Sequence, residues 1–488
     1  MKTEQTTTQP SRLKTAAPLL ALAAALALAG CASMTDVKPQ ARLRDLSSVG
    51  QAAGAQSALS AQWWREFGDE QLNQLIAKAT ANSPSLALVQ ARLRRAQIAA
   101  DYADADGKPQ VTASLDAMRQ QYTANGLYPP PLAGTTRDSA TLQLNGSWEL
   151  DFFGKHRSAL NAALGNAQAA QADAQAAQLL LSANVARTYF QMLRFNEQLK
   201  IARRALAQRE AMLKLVQDRK NAGLDTQLEL RQSETGLPEA RLQIESLQEQ
   251  WALAQNALAA LTADKAAVDA LVLPAMDSVK LAANPSHVAA DTLGQRPDVW
   301  AARKRVEAAT QDVDAAKTLF YPNINLVAFA GMSSIGLDRL LESRSQQWGV
   351  GPAIRLPIFE GGRLRANLKG KAVDLDAAIE SYNVAVLEAV HEAADQLSSS
   401  QAIARQQAQQ RHAQALADSA YDIAAQRFHA GLTTAISVLN AETSVLTQRR
   451  QAVDLNARAL DNRVALIRAM GGGYAPPQQA VAQAKPAS

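Results

Sequence analysis

Few side chains in the 488-residue sequence could do covalent or metal chemistry. Cys31 is its only thiol. As a thiolate it is a nucleophile, but alone it makes neither an intramolecular disulfide nor a zinc cluster. The five histidines are scattered at positions 156, 287, 391, 412 and 429. His391-Glu392 lacks the second histidine, four residues on, that HExxH zinc chemistry requires. The stretch GGRLRANLKGK ends in Gly-Lys without the glycine of a phosphate-binding loop. The sequence therefore reads as a non-enzyme with no cofactor and no metal. What remains is a set of carboxylates and small polar groups just after two glycines. Asp225, Glu229, Gln232 and Glu234 follow Gly223, and Ile436, Ser437, Asn440 and Thr443 follow Gly431. Repeated around an axis, three copies of Glu229 would repel one another and attract cations; taken singly, they are ordinary solvated helix residues.

The surroundings of Cys31 explain the lone thiol. Lys2, Arg12 and Lys14 precede an apolar run from Ala16 to Ala29. At about 14 residues the run is shorter than the roughly 20 a spanning helix needs, and it fits the core of an export signal. Leu28-Ala29-Gly30-Cys31 stands where the cleavage site belongs, and it resembles the lipobox of bacterial lipoproteins. The resemblance implies that Cys31 is acylated and becomes the first mature residue. In that pattern an aspartate after the cysteine favours inner-membrane retention; Ala32 stands here instead, which points to the outer membrane. Several acyl chains suffice as an anchor where one is marginal.

Composition excludes other classes. Charged residues make up 19% and aromatics 5%, with heavy use of alanine and glutamine, which favours long helices over an aromatic-rich core. The formal charge of +5 comes with acids and bases interleaved along helices, the pattern of a solvated face. No basic stripe with interleaved aromatics appears, so nucleic acid is not an expected partner. No long apolar run follows the signal. Residues 32–60 and the end after Met470 read as loose.

The sequence is written twice. SPSLALVQARLRRAQ is echoed by RPDVWAARKRVEAAT, and Pro84 and Pro109 stand 25 residues apart, as do Pro297 and Pro322. DFFGKHR is echoed by IFEGGRLR, and RKNAGLDTQLELRQSE by QRFHAGLTTAISVLNAE. Ordered anchor points at offsets of about 207 to 213 residues mark an internal two-fold repeat. Each half reads helix, two strands, long helix, glycine turn, long helix. Thr141–Phe152 alternates apolar and polar without a miss, as does Val111–Ala117. In the second half Trp348, Val350, Ile354, Leu356 and Ile358 share a face, whereas Ile324–Met332 alternates less cleanly. Period two over 10 to 12 residues suits a tilted transmembrane β-strand, although a soluble sandwich strand explains any single segment equally well. Asn166–Ala222 and Lys371–Ala430 contain neither glycine nor proline, and as helices they would run on the order of 85 to 100 Å. Gly223 and Gly431 stand where each helix must reverse, with Asp225, Thr226, Thr433 or Thr434 as caps. Gly236 and Pro238 predict a kink in the first returning helix.

Four transmembrane strands cannot close a barrel, because every sheet edge in lipid must be paired and single-chain barrels begin at eight strands. Identical copies must complete it, and three copies give about twelve strands around an open lumen. The expected fold is thus membrane α+β: a trimeric twelve-stranded β-barrel, four strands per chain, continuous with a long periplasmic α-helical barrel. These motifs, with WWREFGDEQLNQLIAKATANSPSLALVQARLRRAQ and WGVGPAIRLPIFEGGRLRANL, resemble the TolC-type outer-membrane factors, in the lipoprotein branch serving tripartite RND efflux pumps. The resemblance covers Cys31 to about Met470. It implies a homotrimer set in outer-membrane lipid, docking of a periplasmic membrane-fusion adaptor onto the helix tips, and coupling to an inner-membrane RND pump. By the family pattern the tip turns Ala222, Gly223, Leu224 and Ala430, Gly431, Leu432 receive the adaptor. The gate lies just beyond them, on Asp225, Glu229, Gln232, Ile436, Ser437, Asn440 and Thr443. The second stretch departs from the family's usual aspartates and arginine. The division expected is 1–30 signal, 31–62 lipid-anchored linker, 63–275 first repeat, 276–470 second repeat and 471–488 tail. Two other functions compete: a type I protein-secretion duct on the same architecture, and a structural periplasmic coiled-coil lipoprotein. Lys155, His156 and Arg157, with Arg363, Arg365, Lys369 and Lys371, form a basic cluster at the strand-to-helix junctions, meeting lipid headgroups or merely solvating the junction.

Overall fold

A computed structural model describes residues 37–44, 59–282, 285, 288 and 290–476. Cys31, the signal and residues 477–488 of the tail lie outside them. The chain divides into two compact units, each drawing on both halves of the sequence. One comprises residues 94–168 and 303–381 with the described residues up to 42; the other comprises 43–93, 169–302 and 382 onward.

The first unit holds the sheet. After α1 (Glu70–Asn82) and α2 (Pro84–Asp106) come β1 (Gln110–Gln121) and β2 (Thr136–Glu149); after α7 (Pro297–Thr318) come β3 (Asn323–Ile335) and β4 (Gln346–Arg355). The strands form one antiparallel sheet in the order β1-β2-β3-β4, so β1 and β4 are open edges. The alternation placed the strands correctly but not their ends. β2 starts five residues earlier than expected, at Thr136, and stops at Glu149, so Leu150–Phe152 are outside it. Leu356 and Ile358 likewise fall beyond β4, because Pro357 cannot continue the ladder.

The second unit is built from helices. α3 (Lys155–Asn221) and α8 (Arg363–His429) are each 67 residues, about 100 Å of helix, and start a turn or more before the glycine-free stretches that predicted them. They return as α4 (Gln227–Thr262) and α9 (Ala435–Ala469). α4 remains one assigned helix through Pro238. Short helices α5 (Lys265–Asp269) and α6 (Ala290–Gly294) complete the order. No described helix is long and apolar enough to cross a membrane. The core gathers Phe67, Leu72, Ile76, Tyr189, Phe190, Leu193, Leu258 and Val464. Trp63 and Phe67 stand on a single 3-10 turn, with Phe67 edge-on to Phe190 at 4.9 Å, and the buried Tyr189 hydroxyl donates to Asp69 at 2.6 Å.

Both loose ends need correction where they are described. The amides of Gln40 and Ala41 donate to Asp376 at 2.7 and 2.8 Å, and that of Arg44 to Asn383 at 2.9 Å, so the arm is laced to side chains of α8. After Met470 the chain does not fray at once. Gly471, Gly472 and Gly473 all take positive φ, and a Cβ on Gly472 would lie 2.2 Å from Leu179. Glycine is needed there for both the left-handed backbone and the close approach, so 471–473 is a packed turn.

Candidate functional site

Two regions carry the residues a conduit needs. The first is the sheet. Opposed residues share a face, and the register puts Leu115, Leu142 and Met332 in one row, and Ala113, Leu144, Ala330 and Trp348 in the next. Val111, Trp148, Leu326, Val350 and Ile354 extend this apolar face. Nothing among the described residues covers it: Leu115 is 66% exposed and Trp348 78%. The other face is polar. Asn145 donates to Ser114 at 3.4 Å, Gln347 to Gln143 at 3.0 Å, and Thr141 meets Ser333 at 3.0 Å. The uneven alternation of β3 now has a cause: Val327 and Phe329 break the polar face, and the Phe329 ring lies over Gly349, where a Cβ would be 2.6 Å away. On this face a Cβ at Gly331 would stand 2.2 Å from the Leu142 carbonyl oxygen.

The second region is the pair of helix tips. Gly223 and Gly431 have φ of 74° and 73°, and each ends its helix with the same pair of turn bonds: Leu224 to Arg219 and Gly223 to Lys220, then Leu432 to Arg427 and Gly431 to Phe428. Leu224, Leu228 and Leu432 project, 63 to 69% exposed. The carboxylates first considered for a gate are committed within their own hairpin. Asp225, its side chain 4% exposed, is held by Arg219 at 3.0 and 3.2 Å, and that guanidinium lies 4.8 Å over the Phe428 ring. Glu229 accepts the Thr226 amide at 2.5 Å, so it caps α4. Thr226 and Thr434 occupy the cap positions, and Asp225 does not. Gln232, Ile436, Ser437, Asn440 and Thr443 are exposed. Thr433 donates to Ser437 at 2.9 Å, and Thr443 to its own helix.

Sequence reasoning missed a buried charge cluster further along the same hairpins. Glu442, 5% exposed, approaches Arg209 of α3 at 3.7 Å, too long for a good hydrogen bond. Burial lifts the Glu442 carboxyl above its ordinary range despite the pull of Arg209. Arg209 also donates to the Gly236 carbonyl at 2.7 Å, beside Pro238, and faces Glu239 at 3.6 Å. A signal existed: Glu442 falls on the buried stripe Ala435, Val438, Glu442, Val445, Leu446. The basic cluster at the junctions is largely paired. Lys155 meets Glu149 at 2.9 Å, Arg363 meets Glu360 at 2.7 Å, and Lys371 faces Asp312 and Asp374 at 3.8 and 3.6 Å. No group of metal-binding side chains occurs among the described residues.

The chain matches the family described as "Outer membrane efflux protein" over residues 75–264 and 288–472. It belongs to that family. It is 32% identical over 472 residues to a putative multidrug resistance outer membrane protein, MdtQ, of Escherichia coli, covering 92% of this chain and 96% of that one. It is 40% identical over 360 residues to the fusaric acid resistance protein FusA of Burkholderia cepacia, covering 72% and 68%. Among solved structures it resembles the outer membrane protein VceC of Vibrio cholerae, with a TM-score of 0.80 and 34% identity over 86% of this chain and 100% of that one. It also resembles the MtrE outer membrane channel of Neisseria gonorrhoeae, with a TM-score of 0.79 and 25% identity over 90% and 98%. Family membership makes this an outer-membrane efflux protein of the trimeric channel fold, with four strands per chain for the β-barrel and long helices for the periplasmic helical barrel.

Proposed function

We propose that the chain is the passive exit duct of a tripartite RND-type efflux pump, a homotrimer that releases drugs or other toxic small molecules. The observation that carries this reading is the two-faced sheet. Its apolar face is uncovered among the described residues, its other face is polar, and both edges are open. An open edge in lipid costs several kcal/mol per unpaired group, so β1 of one copy pairs with β4 of the next until the ring closes. A spacer lipoprotein has no use for such a face. The resistance proteins among its relatives favour small solutes over a secreted protein.

The energy comes from an inner-membrane RND pump, and a periplasmic membrane-fusion adaptor bridges the two. The adaptor docks on the turns Ala222–Leu224 and Ala430–Leu432, whose leucines project. The periplasmic gate is formed by the exposed Gln232, Ile436, Ser437, Asn440 and Thr443, while Asp225 and Glu229 brace the first tip. Cys31 carries the lipid, and the division into repeats 63–275 and 276–470 describes the ancestry of the two hairpins. Single-channel recording of the purified protein in planar bilayers tests the duct: discrete conductance steps are expected. Total silence, even at high voltage, returns the chain to the spacer reading.

A further inference from the structure

A cavity of about 610 Å³ lies where the strands give way to helices, within the first unit. Three junctions line it: β2 into α3 with Phe153 and Lys155, α7 into β3 with Tyr321, and β4 into α8 with Arg355 and Arg363. Its strand residues Glu149, Asn323, Asn325 and Arg355 belong to the polar face. A solute following that face therefore passes it.

The charges are unequally satisfied. Both oxygens of Glu149 accept from Lys155 at 2.9 Å, and Arg363 is held by Glu360 at 2.7 Å. Asp151 accepts the amides of His156 and Arg157 at 3.2 and 2.9 Å, at the start of α3. Arg355, the last residue of β4, is exposed, and its side chain has no hydrogen bond or ion pair among the described residues. In the wall of the same cavity, Phe153 and Tyr321 stack at 4.9 Å between centroids and 9° between planes. Both residues remain 43% exposed. A free guanidinium fork and a flat aromatic platform in one cavity are the two halves of a receptor. The fork binds a carboxylate bidentately, and the platform takes a ring by stacking.

We propose that this cavity is a resting site for solutes carrying both an aromatic ring and a carboxylate. Arg355 takes the anion and the Phe153–Tyr321 pair takes the ring. The inference rests on the duct reading and names a substrate class for it. Binding is weak, on the order of millimolar, since a conducting site must also release. The remaining cations do not compete for the anion, being neutralised by Glu149 and Glu360.

Two readouts on the full-length trimer separate the site from the duct. Saturation-transfer NMR with benzoate on the detergent-purified protein reads binding without conductance. Transfer to the benzoate ring is expected, about tenfold reduced by Arg355→Gln and by Phe153→Ala. Cyclohexanecarboxylate should compete at least fivefold more weakly than benzoate. In bilayers, benzoate should interrupt the current, and Arg355→Gln should relieve the interruption. Transfer that survives Arg355→Gln, or equal competition by cyclohexanecarboxylate, overturns the site. So does loss of the trimer band on gels for both Arg355→Gln and Arg355→Lys, which would make Arg355 a brace between copies. A silent bilayer with Arg355-dependent transfer retained overturns the duct alone.

Discussion

The two long hairpins have the same dimensions and different seams. α3 and α8 are both 67 residues, and their returns, α4 and α9, are 36 and 35. Over residues 195–206 and 244–251 the seam of the first hairpin is apolar: Leu199 and Ala202 pack on Ile244 and Leu247, with Phe195, Leu206 and Trp251 around them. Along the second it is a ladder of amides. Gln407 donates to Asn456 at 3.0 Å, Gln410 to Gln448 at 2.9 Å, and Asn462 to Gln396 at 2.9 Å, with Arg449 on Asp418 at 2.8 Å. Apolar burial is lost when a seam opens, at about 25 cal/mol per Å². An amide pair gives up only about 0.5–1.5 kcal/mol, because water takes over its hydrogen bonds. Duplicated helices thus yield one hairpin that resists opening and one whose seam can be re-wetted at low cost.

The largest expected effect lies where the hairpins are alike. Gly223→Val and Gly431→Val place a β-branched residue at positive φ, where no neighbour within 4 Å obstructs it, so the strain of about 1–2 kcal/mol is purely in the backbone. Each variant should abolish drug resistance in susceptibility assays while the trimer band persists; retained resistance would remove the tips from docking. Next in size, Leu247→Ala should cost about 2–4 kcal/mol and Gln410→Ala about 1 kcal/mol in denaturant midpoints. Equal losses would erase the contrast between the seams.

The smallest effect sharpens the contrast at Glu442, where the second hairpin meets Arg209 of the first. Burial raises this carboxyl above its ordinary value of 4.5, with Arg209 opposing only in part. Between that value and the raised one the folded state binds more protons than the unfolded chain, so stability falls as pH rises through the window. Glu442→Gln should therefore raise the thermal midpoint by a few degrees at neutral pH and flatten its pH dependence. A midpoint that drops instead would show that the ion pair outweighs its desolvation.

The legible parts of the fold came from period and punctuation. Alternation located β1 to β4, and the absence of glycine and proline located α3 and α8, because both signals are local. Boundaries were less legible: β2 extends into a stretch that reads as loop, since its ladder with β1 and β3 supplies partners that no single strand reveals. The tip glycines could be read directly, as positive φ is a property of one residue. The carboxylates beside them could not, because whether Asp225 faces an aperture or Arg219 depends on a side chain six residues away across a turn.

The sequence by itself determined that this chain is duplicated, that its strands have one face for lipid, and that its helices reverse at Gly223 and Gly431. These follow from spacing, which chain geometry converts into structure without outside help. Tertiary structure alone decided the order of the strands, and which charges are spent and which are free. Lys155, Arg355 and Arg363 are alike as cations; only folding gives two of them a carboxylate and leaves the third without one among the described residues. Burial and partnership depend on residues distant in sequence, and no local pattern encodes them.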